Sequence, residues 1–72
     1  MRRAPMSSET IASVGYDERR STLEIEFVSG GVYRYYGVPE NIHEALMEAD
    51  SHGRYFVAHI RNAYPYTKES DR

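Results

Sequence analysis

Cysteine and tryptophan are absent from this 72-residue chain, and lysine occurs once against eight arginines. Without cysteine there is no disulfide staple, no thiolate metal site and no cysteine nucleophile. No apolar run approaches the length that crosses a bilayer. The basic start Met1-Arg2-Arg3-Ala4-Pro5-Met6 passes straight into Ser7-Ser8-Glu9-Thr10, which argues against a secretory signal. The expectation is a cytoplasmic protein with no membrane partner. Internal repeats, low-complexity tracts and interior linkers are also missing, so the chain reads as one domain. A domain of this size buries only about 60% of its unfolded surface, and its stability margin is thin.

Several chemistries lack their residue patterns. Gly30-Gly31 joins two strands and opens no helix, so no phosphate-cradling loop is present. His43, His52 and His59 show no chelating spacing; the last two lie two helical turns apart, which excludes a shared metal ion held by them alone. Ser51 before His52 reads as a helix cap rather than a nucleophile. Glu24 and Glu26, two apart on one strand, have nothing to separate their pKa values and read as solvated partners of Arg34. No catalytic residue, metal or cofactor is expected, and the chain is read as a non-enzyme.

Charge is nearly balanced, at −2 overall, so no global field draws the chain to a polyanion. Its distribution is uneven. Glu40, Glu44, Glu48 and Asp50 occupy one segment without a basic residue, while the stretch from Ser51 to Lys68 holds Arg54, Arg61 and Lys68 without an acid. Two neighbouring helices with opposite solvated faces account for this, and a local basic face is the alternative it leaves open.

What the chain has in abundance is tyrosine, seven in all, three of them in Val32-Tyr33-Arg34-Tyr35-Tyr36-Gly37-Val38-Pro39. Leu23-Glu24-Ile25-Glu26-Phe27 alternates strictly and predicts a strand. Ser29-Gly30-Gly31 predicts the turn that follows it. A three-residue loop pairs Val28 with Val32, Phe27 with Tyr33, Glu26 with Arg34 and Ile25 with Tyr35. That register joins apolar residues on one face and opposite charges on the other. It sends Tyr33 and Tyr35 into the core and turns Arg34 and Tyr36 outward. A further strand is expected from about Ile11 to Tyr16, although Ile11 and Val14 fall on opposite sides of a regular strand. Pro39 is placed to open a helix, with Ile42, Ala45, Leu46 and Ala49 as its apolar stripe. A second helix begins after Ser51, with Gly53, Phe56, Val57 and Ile60 facing inward. Gly53 marks a close approach of another backbone. Pro65 keeps Tyr64 extended.

The expected fold is therefore α+β: a three-stranded antiparallel β-meander followed by two α-helices packed on one face. Residues 9–66 form the domain, with 1–8 and 67–72 as flexible ends.

These residues resemble a known family. Ile11…Tyr16-Asp17, Leu23-x-Ile25-x-Phe27-x-x-Gly30, Tyr33-x-Tyr35-x-x-Val38-Pro39, Ala49-x-Ser51-x-Gly53-x-Tyr55-Phe56 and Ile60-Arg61-x-x-Tyr64 follow the order and spacing of the KTSC domain. The resemblance spans roughly residues 7–66. The family takes its name from the C-terminus of some lysyl-transfer-RNA synthetases and also occurs as a small free-standing bacterial protein. The resemblance implies RNA as a candidate ligand and no established catalytic residues. Departures are His43 in place of a frequent aromatic, Asp50 in place of a common proline, and Val57 in place of a frequent polar residue.

Two function classes compete. Single-stranded nucleic acid needs exposed aromatic faces and cations along its backbone. Tyr36, Tyr55, Tyr64 and Tyr66 are the candidate stackers; Arg34, Arg54, Arg61 and Lys68 are the candidate phosphate contacts. The same side chains suit a protein partner or a homodimer, because tyrosine and arginine also anchor interfaces.

Overall fold

The computed structural model describes residues 2–70. The flexibility expected of residues 1, 71 and 72 lies outside these described residues. Seven elements follow in order: β1 (Arg3–Pro5), β2 (Ile11–Asp17), β3 (Thr22–Phe27), β4 (Val32–Tyr36), α1 (Glu40–Glu48), α2 (His52–His59) and β5 (Tyr66–Ser70). The strands make one five-stranded sheet in the order β1-β2-β3-β4-β5, every pair antiparallel. The α+β class holds, but the three-stranded meander is corrected. Four strands precede the helices and a fifth follows them. Both additional strands arise in the segments expected as loose ends. Each is short and polar, and each adds to an edge already built, so neither carries the alternation that marks a half-buried strand.

Ile11 and Val14 both enter the core because β2 is bulged. Ile11 pairs with Phe27 and Ser13 with Glu26, leaving Ala12 as the extra residue. One inserted residue rotates the strand and returns Ile11 to the face of Val14.

The hairpin register also differs from expectation. Phe27 N–H donates to Gly31 C=O at 3.1 Å, which closes a three-residue loop over 28–30. Gly30 and Gly31 take φ of 111° and 92°, open to glycine and costly for other residues. Val28 leaves the ladder because its N–H donates to Thr10 C=O at 2.8 Å. The strands consequently slide by two residues, setting Ile25 against Tyr33, Glu24 against Arg34 and Leu23 against Tyr35. A two-residue slide preserves every side chain's face.

Both helices pack on the face bearing Val14, Leu23, Ile25 and Tyr35, to which they and the turn after α2 contribute Leu46, Phe56 and Ile60. Tyr35 is buried and Tyr33 half-buried against the same cluster. Pro39 precedes α1 as its cap residue. The Ser51 hydroxyl caps α2 by accepting from Arg54 N–H at 3.3 Å. Val57, expected to face inward, is 52% exposed. Gly53 does mark a close approach, but to the side chain of Thr10.

Candidate functional site

The helix-free face of the sheet carries a ladder of charges. In register across the strands lie Arg3, Gly15, Glu24, Arg34 and Thr67. Glu24 is buried, not solvated as expected. Its carboxylate accepts from Arg3 and, at 2.9 Å, from Arg34 Nε. Arg34 also reaches Glu69 at 3.7 Å. The hydrogen bond to Glu24, more than any other influence, raises the pKa of Arg34 further. Tyr36 shares a 2.8 Å hydrogen bond with Thr67 Oγ1, and Ser13 donates to Glu26 at 2.8 Å. Arg34 and Tyr36 thus point outward, yet both are engaged in contacts within the sheet. A hollow of about 540 Å³ on this face is lined by Arg2, Arg3, Ser13, Glu24 and Glu26 among others. Its two carboxylates are matched by two guanidiniums, so the lining carries no net charge to draw an anion.

The opposite face holds a second cleft, of about 480 Å³, between the β3–β4 turn, α2 and β5. Its walls are aromatic. Phe27 meets Tyr33 and Phe56 edge-on at 5.5 and 5.3 Å. Tyr66 leans on Tyr33 at 5.8 Å and on Tyr35 at 5.4 Å. Arg61 and Asn62 line its rim, and among the described residues no carboxylate does. Lys68 Nζ lies 5.9 Å from the centre of the Tyr33 ring. Burial pushes the Tyr35 phenol up to about 12; neighbouring Tyr66 and Tyr33 add to this and Arg61 opposes it. The cleft therefore offers an uncharged aromatic floor with cations at its edge.

The expected site residues divide. Tyr66, Arg61 and Lys68 come together at this cleft, and Tyr66 remains 55% exposed. Arg54 lies further along α2, in a shallower groove that shares Thr10 and Val57 with the cleft. Tyr55 packs partly into the core and lies against His59 at 4.4 Å. Tyr64 is half-buried on the core. Arg34 and Tyr36 belong to the other face. The sequence places Tyr33 and Tyr35 mainly in the core and Phe27 on the same apolar face, and in the structure all three also floor the cleft. Their alternation signalled the buried face; nothing in it signalled an opening.

At the far edge His43 stacks on Tyr16, centroids 4.6 Å apart and planes 9° from parallel. Tyr16 donates to Val38 C=O at 2.6 Å, and its phenol is raised chiefly by burial.

Geometry of this kind defines a class: a two-layer α+β domain with one polar sheet face and one aromatic cleft under its helices. The KTSC domain family model matches residues 7–64, and the chain belongs to that family. A crystal structure of a KTSC domain protein from Yersinia pestis superposes with a TM-score of 0.94 at 42% identity, covering 96% of this chain and 97% of that one. An uncharacterized protein of Stutzerimonas stutzeri is 48% identical over 56 residues, 78% of this chain and 79% of its own length. A lysine–tRNA ligase of Nostoc punctiforme is 37% identical over 60 residues, covering 83% of this chain and 11% of the ligase. Strands β1 and β5 lie outside the matched residues 7–64. No helix among the described residues is long and apolar enough to cross a membrane.

Proposed function

We propose that this chain is a non-catalytic binding module whose aromatic cleft takes a short single-stranded segment of nucleic acid, RNA in the first instance. The observation that carries this reading is the half-exposed Tyr66 ring leaning on Tyr33 and Tyr35, with Arg61 on the same rim. A base inserted beside Tyr66 gains stacking worth about 1–3 kcal/mol, and a guanidinium at the rim suits a phosphate. Among the described residues the lining holds no carboxylate, which lessens the local repulsion that the net charge of −2 otherwise brings. Relatives named as lysine–tRNA ligases act on a tRNA, which makes RNA the first ligand to test.

An NMR shift titration with transfer RNA and short single strands, at low and moderate salt, tests this. Shifts clustered on Tyr33, Tyr35, Arg61 and Tyr66 are expected. Shifts confined to Arg34 and Tyr36 would move the site to the other face, and no shifts at low salt would end the reading.

A second reading, an apolar protein partner, is favoured by one observation. Among the described residues the exposed large hydrophobics, Val28, Val57 and Tyr66, all line this cleft or adjoin it in sequence.

A further inference from the structure

Tyr35 is buried, with 4% of its surface exposed. Phe56 meets its ring edge-on at 5.4 Å and Tyr66 leans on it at 5.4 Å, so the ring is held in place. A buried phenol ordinarily finds a hydrogen-bond partner, as Tyr16 does at Val38 C=O. Among the described residues the Tyr35 hydroxyl has none, yet no fully enclosed side-chain oxygen or nitrogen is left without a partner. The hydroxyl is therefore open at one point, and Tyr35 lines the aromatic cleft. Its electrostatic neighbours Tyr66, Tyr33 and Arg61 line the cleft too. The packing that buries this ring leaves one polar atom aimed at whatever fills the cleft.

The chemistry of that atom is restricted. With its pKa pushed up to about 12 by burial, the phenol keeps its proton at neutral pH. The Arg61 cation attracts the phenol oxygen and turns the O–H bond away from itself. A neutral donor is thus set in an apolar floor. A phosphate brought down to it would lose its hydration, whereas Arg61 can meet a phosphate at the wet rim. A neutral carbonyl oxygen suits the floor. Guanine O6 and uracil O4 are such acceptors, at the positions where adenine and cytosine carry amino groups.

We propose that the Tyr35 hydroxyl donates to the exocyclic keto oxygen of a base seated beside Tyr66, so that the cleft prefers guanine and uracil to adenine and cytosine. This rests on the single-strand reading of the cleft and adds base selection to it. An amino group facing the hydroxyl leaves its proton without an acceptor, which costs more than the made bond contributes.

Fluorescence anisotropy of the full chain with short labelled oligocytidines tests this, the central base being guanine, uracil, hypoxanthine or adenine. Hypoxanthine carries a keto oxygen where adenine carries its amino group. The three keto strands are expected to bind about fivefold more tightly than the adenine strand. A further preference between guanine and uracil would name the base and leave the assignment standing. Tyr35→Phe keeps the ring and should bring all four strands level. Its urea midpoint should be no lower than that of the unaltered chain, because the hydroxyl has no partner in the fold. Equal binding of all four strands by the unaltered chain would overturn the proposal and leave the single-strand reading in place. So would a keto preference that survives Tyr35→Phe, or a clear fall in that variant's midpoint. Binding of no strand at low salt would end the single-strand reading, and this proposal with it.

Discussion

The Arg3 guanidinium on the first strand pairs with the Glu24 carboxylate on the third, reaching across Gly15 on the strand between them. Arg34 approaches the same carboxylate from the fourth strand. One buried acid therefore ties β1 to the centre of the sheet. Glu24→Gln removes the charge and leaves two cations facing a neutral amide. Because the arginine side chains are 24% and 40% exposed, water recovers part of the loss. The expected cost is about 2 kcal/mol, read from urea unfolding, with faster hydrogen exchange at the Ala4 amide. Unchanged stability and exchange would show that Glu24 does not hold β1.

Gly53 lies inside α2, where alanine is ordinarily better by about 1 kcal/mol. A Cβ there would sit 2.9 Å from Thr10 Oγ1 and 3.1 Å from Thr10 Cβ. Rotating the hydroxyl away does not move Thr10 Cβ, which is fixed by a backbone bonded to Val28. Gly53→Ala is therefore expected to destabilise by about 1 kcal/mol after the helix gain. In a Thr10→Gly background the same change should stabilise. Equal effects in both backgrounds would remove the contact from the account.

Burial holds the His43 imidazole below its usual pKa, and Glu44 partly offsets this. The hollow beside it also holds Arg2, Glu18 and Glu40. The folded chain resists a proton that the unfolded chain accepts. Stability is therefore complete above about pH 6.5 and declines as pH falls below it. His43→Phe keeps a ring against Tyr16 and should flatten this decline in urea midpoints between about pH 5.5 and pH 8. A decline of equal slope in the variant would assign it to other groups.

Much of the fold was legible because side chains on a strand alternate with period two. Leu23, Ile25, Tyr33 and Tyr35 were assigned to the correct face although the register was off by two residues, since a shift of two leaves faces unchanged. The register itself depended on Val28 N–H bonding to Thr10, a contact eighteen residues away in the chain that no local pattern contains. β1 and β5 were missed for a related reason. Arg3 belongs to the sheet through Glu24, and Tyr66 through Tyr35; such partners are visible only once the sheet exists. Among the site residues, exposure was the weak point. Arg34 and Tyr36 did turn outward, but into a charged and hydrogen-bonded ladder.

The cleft beside β5 is best tested by fluorescence anisotropy with a short labelled RNA, between about 50 and 200 mM salt. Affinity should fall with salt. Arg61→Ala should reduce the logarithmic slope by about one phosphate. Tyr66→Ala should weaken binding by about 1–3 kcal/mol at every salt concentration and leave the slope alone. Absence of binding at low salt, or binding that neither variant alters, would contradict the account.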